Sequence, residues 1–150
     1  MVSFKSTQKL DKASVKYSLF KLDKQAYTVE DVVKYSRGRI KLDEICKTMI
    51  LTDDQGLGFG VLLLGVNRVD LNKVGEITEK KLHLASRKEV IELTGIEPGA
   101  ICPIILDIPL LVDEQVLLKN RINFGSGDHL YGIEMNSLDL KKVVEYRIIM

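Results

Sequence analysis

A chain of 150 residues has the length of one ordinary domain and is long enough to bury a sizeable core. Hydrophobic residues make up 45% of the chain and charged residues 29%. This composition excludes an intrinsically disordered protein and indicates a globular one. No apolar run reaches membrane-spanning length, and the first ten residues lack the apolar stretch of a secretory signal. We therefore expect one cytoplasmic domain over residues 1–150, with residues 1–13 forming a short helix or a tail.

The formal net charge is only +1, but basic residues are concentrated in the first third of the chain. Residues 1–47 carry eleven Lys or Arg against six Asp or Glu. A solvated basic face explains this excess, and so does a surface that binds a phosphate backbone. If the surface binds phosphates, Lys34, Arg37 and Arg39 are among the candidate contacts.

The two cysteines, Cys46 and Cys102, lie in apolar contexts and show no metal-ligand spacing. Reduced core or loop thiols are therefore the expected state, and a disulfide is the alternative. The sequence contains no motif for a metal or an organic cofactor, so no cofactor is expected.

Apolar periodicity predicts short strands separated by short helices. The predicted strands cover residues 14–22, 47–51, 59–64, 81–84, 105–112, 120–124, 130–135 and 147–150. Asp107 and Pro109 interrupt the fifth strand, and the third is apolar on both faces, as in a central strand. The predicted helices begin at the N-cap residues Thr28, Asp70, Ser86 and Ser137. Because the strands do not alternate strictly with long helices, we expect a mixed sheet with peripheral helices.

Residues 95–103 form a loop that contains two glycines and two prolines. The loop begins at Gly95, where the helix capped by Ser86 is predicted to end. Glycine and proline fix unusual backbone angles and release backbone N–H groups from regular pairing. The loop is therefore either a plain turn or one wall of a ligand site.

Lys47 interrupts an apolar, strand-like run from Ile45 to Leu51. A cation in such a run needs a partner or an exit to water. Either its stem packs while its ammonium reaches solvent, or the ammonium lies in a functional cleft. No Ser-His-Asp or Cys-His arrangement is evident, and His83, between two leucines of a predicted strand, is expected to be structural.

Several short motifs, taken in order, resemble the YbaK and prolyl-tRNA synthetase-associated domain family over residues 14–144. They are Tyr27-Thr28-Val29-Glu30, Cys46-Lys47-Thr48, Leu71-Asn72-Lys73, Ala85-Ser86, Thr94-Gly95 with Gly99-Ala100-Ile101-Cys102-Pro103, Val112-Asp113, Ile133-Glu134 and Leu138-Asp139-Leu140. The resemblance implies an α+β fold with a curled, mixed and largely antiparallel sheet and peripheral helices. It also implies a free-standing aminoacyl-tRNA deacylase, which removes a wrongly attached small amino acid from tRNA.

The resemblance assigns roles to individual residues. Within this family the lysine of the Lys-Thr motif, here Lys47, is the residue most closely tied to catalysis. Backbone N–H groups of Gly99, Ala100 and Ile101 would donate to the developing oxyanion, and the side chains of Ile101 and Cys102 would restrict the pocket to a small amino acid. In related enzymes a ribose hydroxyl of the substrate is thought to assist the attacking water. The other implied substrate contacts are Thr28, Gly125, Ser126, Gly127 and His129.

The implied substrate is the 3′ acceptor end of a tRNA, most simply the tRNA for proline, that carries alanine or cysteine, with serine left open. Lys34, Arg37 and Arg39 would then bind the tRNA, and an aminoacyl-tRNA synthetase is a second candidate partner. The alternative is a non-catalytic module that binds a tRNA end or a synthetase, which the atypical Ile104-Ile105 after Pro103 favours. No membrane partner is expected, and the sequence leaves the oligomeric state open.

Overall fold

The strands form two sheets in the computed structural model, which describes residues 2–150. They are β1 (Tyr17–Lys21), β2 (Cys46–Thr52), β3 (Gly58–Leu64), β4 (His83–Leu84), β5 (Leu110–Asp113), β6 (Arg121–Gly125), β7 (Tyr131–Asn136) and β8 (Arg147–Ile149). The smaller sheet has the order β1-β7-β6 and is antiparallel throughout. The larger has the order β4-β2-β3-β5-β8, in which β2 is antiparallel to both neighbours and β3, β5 and β8 run parallel. A parallel bridge between Ile45 and Asn123 joins the two sheets.

Short helices accompany these sheets. The α-helices are α1 (Lys5–Lys12), α2 (Val29–Tyr35), α3 (Leu71–Thr78), α4 (Arg87–Thr94) and α5 (Glu114–Leu117), and 3₁₀ turns occupy Leu42–Glu44, Pro103–Ile105 and Ser137–Lys142. The mixed, largely antiparallel sheet with peripheral helices is confirmed, although it is divided into two sheets at the bridge. Within residues 2–150 no helix combines the length and the apolarity needed to cross a membrane.

Strand β3 occupies the centre of the larger sheet. Val61, Leu62 and Leu63 are each at most 2% exposed, and they pack into two different hydrophobic clusters, one on each face of the sheet. A strand buried on both faces needs apolar residues at every position, which explains the uninterrupted apolar run in the sequence. The prediction of a central strand at residues 59–64 is confirmed.

Three of the four predicted helix caps are confirmed. The hydroxyl of Thr28 accepts a hydrogen bond from the N–H of Asp31 at 3.1 Å, and Oδ1 of Asp70 accepts from the N–H groups that follow it. Ser86 forms a reciprocal capping box with Glu89, in which each side chain accepts from the other residue's N–H. These caps satisfy N–H groups that a helix cannot satisfy itself, so they fix where each helix starts.

Two predicted elements differ in the structure. The predicted strand at 105–112 shortens to β5, because Pro109 cannot donate to a ladder and the 3₁₀ turn at Pro103–Ile105 occupies the beginning of that segment. The final helix is a 3₁₀ turn, and its cap is Asn136, whose side chain accepts from the N–H of Leu138. The Ser137 hydroxyl instead donates to the carbonyl of Lys119. The Ser137 side chain, which the sequence predicts as a helix cap, therefore bonds to the segment around Lys119 instead.

The N-terminal segment is a helix rather than a tail, and α1 packs against the 3₁₀ turn at Pro103–Ile105 and the loop that follows β6. Leu10 is fully buried in the main core, the hydrophobic cluster that also contains Leu62, Val112 and Ile133. The Ser6 hydroxyl donates to the carbonyl of Ser126 at 2.8 Å, and the Lys9 ammonium donates to the carbonyl of Ile104 at 2.7 Å. These contacts support two loops whose opposite sides face the cleft described next.

Candidate active site

A cleft of about 440 Å³ lies between β2, the N-terminus of α2 and the loops that follow α4 and β6. The bridge between Ile45 and Asn123 brings β2 and β6 together at its base. Strand β4 pairs with β2 only at Leu51 and Thr52, so within residues 2–150 the edge of β2 at residues 46–49 is not covered by a neighbouring strand. Residues 46–49 line the cleft instead. The two sheets and the two loops therefore converge on one concave site.

Lys47 extends from β2 into this cleft. Burial lowers the pKa of its ammonium, the positive charge of Arg68 lowers the pKa further, and the carboxylate of Glu30 acts in the opposite direction. Among residues 2–150 no carboxylate oxygen lies within the 4.0 Å that defines an ion pair with the Lys47 amine. The cation is thus available to an anionic ligand or to negative charge that develops in a reaction.

The loop after α4 contributes Gly99 and Ile101 to the lining of the cleft. Gly95 ends α4 with φ +74°, and Gly99 adopts φ +95°. The N–H of Ala100 is already bonded to the carbonyl of Glu97 at 3.3 Å, whereas in the described part of the chain the N–H groups of Gly99 and Ile101 have no acceptor. Two of the three N–H groups predicted to face an oxyanion therefore remain free to donate to one.

Two glycines let this loop approach its neighbours closely. A Cβ at Gly99 would lie 3.0 Å from the carbonyl oxygen of Tyr27, and a Cβ at Gly125 would lie 2.7 Å from the carbonyl oxygen of Ile101. The N–H of Gly127 donates to the carbonyl of Ala100 at 2.8 Å. Backbone is thus packed on backbone at both edges of the loop, which holds its N–H groups in position.

His129 closes one side of the cleft together with Tyr27. Their rings lie 4.3 Å apart, and Nε2 of His129 is 3.2 Å from the carbonyl oxygen of Pro98. The backbone of His129 also accepts the N–H of Ala26 at 2.9 Å. His129 therefore connects the loop after β6 both to the glycine-rich loop and to the segment before α2.

Comparison with known proteins identifies this arrangement. The family model described as "Aminoacyl-tRNA editing domain" matches residues 23–143, which include every residue that lines the cleft except Leu22. The chain belongs to the aminoacyl-tRNA editing domain family. The resemblance to the YbaK family is thereby confirmed.

The similar proteins include a synthetase, of which this chain matches a small part, and two solved structures of about this chain's length. The chain is 28% identical over 90 residues to a proline–tRNA ligase of Shouchella clausii (strain KSM-K16), a match that spans 59% of this chain and 16% of the ligase. The crystal structure of the hypothetical protein APE2540 superimposes with a TM-score of 0.86 and 26% identity over 95% of each chain. A proposed trans-editing enzyme for prolyl-tRNA synthetase shares the fold, with a TM-score of 0.79 and 20% identity over 98% of this chain and 96% of that one.

The editing domain's cleft is lined by six of the ten residues predicted to contact substrate. They are Thr28, Lys47, Gly99, Ile101, Gly125 and His129. The Thr28 hydroxyl oxygen accepts its cap bond from the N–H of Asp31, which leaves its O–H able to donate to a ligand.

The other four residues predicted to contact substrate lie behind the cleft. Cys102 is fully buried in the main core, where burial raises the pKa of its thiol to about 12, and its side chain does not restrict the pocket. Ala100 is also buried, and Gly127 lies outside the lining. The Ser126 hydroxyl bonds to the carbonyl of Tyr131 at 2.7 Å. These four residues hold the loops in place, and the adjacent Gly99, Ile101 and Gly125 line the cleft.

The three predicted tRNA-binding cations lie on and after α2, outside the cleft lining. Arg37 forms an exposed ion pair with Asp23 at 2.8 Å. Arg39 donates to the carbonyls of Ser36 and Lys21, at 3.0 and 3.2 Å. Lys34 is exposed and makes no ion pair among residues 2–150. The Lys34 ammonium lies 5.8 Å from the centre of the Tyr35 ring.

Two buried polar atoms in the cleft belong to side chains that the sequence did not single out. Nδ2 of Asn123 and Oγ1 of Thr48 are buried and have no hydrogen-bond partner within residues 2–150. The sequence did contain a signal for Asn123, because a carboxamide between Ile122 and Phe124 in an apolar strand raises the same question as Lys47 in β2.

Proposed function

We propose that this editing domain is a trans-acting aminoacyl-tRNA deacylase, which hydrolyses the ester between a small amino acid and the 3′-terminal adenosine of a tRNA. One observation carries the proposal: the ammonium of Lys47, which makes no ion pair among residues 2–150, lies in a cleft that is also lined by Gly99 and Ile101, whose N–H groups have no acceptor in that range. Positive charge and oriented N–H groups are what the tetrahedral intermediate of ester hydrolysis requires.

In the proposed reaction, water adds to the ester carbonyl carbon and the carbonyl oxygen becomes an oxyanion. The N–H groups of Gly99 and Ile101 donate to that oxygen, and the Lys47 ammonium offsets its charge. The C–O bond to the ribose then breaks, the ribose oxygen takes up a proton, and the free amino acid leaves. In the proton relay that the family resemblance suggests, a ribose hydroxyl of the substrate accepts the proton of the attacking water and gives its own proton to the leaving ribose oxygen.

The proposed amino acid is small, and the proposed carrier is the tRNA for proline. The family resemblance favours alanine or cysteine, since a proline-activating enzyme would most readily mistake these for its own substrate. Apolar walls such as that of Ile101 discriminate weakly, because one methylene changes binding by only about 1 to 3 kcal/mol. Serine is therefore a third candidate.

The test is single-turnover hydrolysis of the tRNA for proline charged with alanine, cysteine, serine or proline, at physiological salt. Selective release of one small non-cognate amino acid would support the proposal and identify the substrate. If none is released while the tRNA is still bound, the domain is a binding module on an editing fold. A lack of both release and binding would remove tRNA as the partner.

Charge reversal on α2 tests the proposed tRNA surface. We expect the double variant Lys34→Glu with Arg37→Glu to bind tRNA more weakly and with a shallower salt dependence, because each lost phosphate contact reduces the slope of log K against log salt by about 0.7 to 0.9. The measurement is tRNA affinity at several salt concentrations.

The matched control is Lys141→Glu with Lys142→Glu, at the opposite end of β7 from the cleft. This pair also combines one lysine that makes no ion pair among residues 2–150 with one that does, the Lys142–Asp139 pair at 2.9 Å. It should retain the parent slope. Equal slopes for the α2 double variant and the parent would discard this surface.

A further inference from the structure

Asn123 presents an unused hydrogen-bond donor to the cleft. The residue is 2% exposed and lines the cleft, and its Nδ2 has no acceptor among residues 2–150. A buried amide without a partner costs free energy in the folded protein. Buried side-chain amides are usually hydrogen-bonded, so an unsatisfied one in a cleft marks a point where an acceptor of a ligand can bind.

The surroundings of Asn123 hold its amide in place without bonding to it. Its backbone forms the bridge to Ile45 that joins the two sheets, which fixes the base of the side chain. On the adjacent strand, a Cβ at Gly132 would lie 3.0 Å from Oδ1, so the glycine makes room for the carboxamide. The neighbouring side chains on β6, Ile122 and Phe124, are packed in the main core.

Polar groups without partners occur twice in this cleft. Oγ1 of Thr48, one residue after Lys47 on β2, is also buried and unsatisfied within the described residues. The strands that carry the two side chains, β2 and β6, converge at the bridge. A purely apolar acyl group would leave both atoms without partners, whereas an oxygen-bearing ligand could satisfy them.

We propose that Nδ2 of Asn123 donates a hydrogen bond to an oxygen of the bound aminoacyl ester, which makes Asn123 a substrate-binding residue. The inference rests on the proposed deacylase function. Two kinds of oxygen share this chemistry: the side-chain hydroxyl of a serine ester, and the carbonyl or ribose oxygens that every aminoacyl ester carries.

The test is Asn123→Leu, which replaces the carboxamide by an apolar group of similar shape. We expect kcat/KM for aminoacyl-tRNA hydrolysis to fall about ten-fold, the effect of one lost hydrogen bond. The melting temperature should be unchanged or higher, because the variant removes an unsatisfied buried donor. A merely structural asparagine would give the reverse pattern, with lower stability and unchanged kinetics.

Two further variants keep the test decisive. Asn123→Ala adds no new methyl contacts near Gly132, so it shows the kinetic loss even if the leucine variant does not fold. Asn67→Leu makes the same substitution outside the cleft, where the amide donates to Gln115 at 3.1 Å. That hydrogen bond is exposed, so the control should change stability little and keep kcat/KM. Parent kinetics in both folded Asn123 variants would overturn the proposal.

Binding measurements separate this inference from the proposed function. The probes are non-hydrolysable adenosines whose ribose carries alanine or serine through an amide at the 3′ position, and the readout is calorimetric affinity. Weaker binding of both probes by Asn123→Leu identifies an oxygen common to all esters, and weaker binding of the serine probe alone identifies the side-chain hydroxyl. If the parent binds the probes but hydrolyses no aminoacyl-tRNA, the deacylase proposal fails while the role of Asn123 in binding stands.

Discussion

Lys47→Ala is expected to reduce single-turnover deacylation by about 100-fold or more, the scale on which removal of one oxyanion-stabilising group acts. The same change should leave the free energy of unfolding within about 1 kcal/mol of the parent value, because the Lys47 ammonium makes no ion pair among residues 2–150 that would be broken. Loss of activity without loss of stability is the pattern of a functional cation.

Lys47→Met is the matched variant, since it keeps a long apolar stem and removes only the charge. It should be as inactive as the alanine variant. Lys141→Ala, distant from the cleft, should retain parent activity. If Lys47→Met retained parent turnover, the charge of Lys47 would have no part in the mechanism.

The lowered pKa of Lys47 gives a second measurement on the same variant. Burial lowers the pKa below its ordinary value of 10.5, so the folded state releases the proton at a lower pH than the unfolded chain does. Between those two pKa values the unfolded state binds more protons, and stability must rise with pH. We therefore expect the parent to gain stability relative to Lys47→Met as the pH rises toward 10.5, in chemical denaturation at several pH values. A gain as the pH falls would contradict the burial of the amine.

Local chemistry explains which parts of the fold could be predicted. Thr28, Asp70 and Ser86 each cap a helix with their own side chain, so the signal lies within four residues. Ser137 has the same signal, but its hydroxyl donates to Lys119, eighteen residues earlier. Pairing over that distance depends on how β6 and β7 are arranged, which periodicity alone does not reveal.

The same distinction applies to the candidate site. The position of Lys47 in the cleft could be anticipated because a cation in an apolar strand is anomalous by itself, whereas its catalytic role is what the family resemblance implies. Cys102 was expected to limit the pocket, yet it faces the main core, because which face of an irregular loop turns inward is decided by the elements packed behind it, here α1. The contact between His129 and Tyr27 likewise joins residues about a hundred positions apart.

Gly99→Ala is expected to lower the free energy of unfolding by about 2 to 4 kcal/mol. This is the cost of a side chain at a left-handed backbone angle plus the cost of a steric clash. The φ of +95° disfavours any side chain, and the new Cβ would lie 3.0 Å from the carbonyl oxygen of Tyr27. Backbone on both sides of the contact cannot rotate away as a flexible side chain could. The loop must therefore shift, and it carries the free N–H groups of Gly99 and Ile101 with it.

Gly95→Ala isolates the contribution of that contact, since Gly95 lies in the same loop at φ +74° and a Cβ there meets nothing within 4 Å. The Gly95→Ala variant should lose only about 1 to 2 kcal/mol of unfolding free energy, which is the cost of the left-handed backbone angle alone. It should keep parent activity. For Gly99→Ala we expect deacylation to fall by about 100-fold at temperatures where the protein is folded, because a displacement of about 1 Å in an oxyanion site has that effect. Thermal unfolding and single-turnover rates of both variants measure the difference. Equal activity in the two folded variants would show that the approach of the loop to Tyr27 is not needed to position the N–H groups, and would leave Lys47 as the principal stabiliser of the oxyanion.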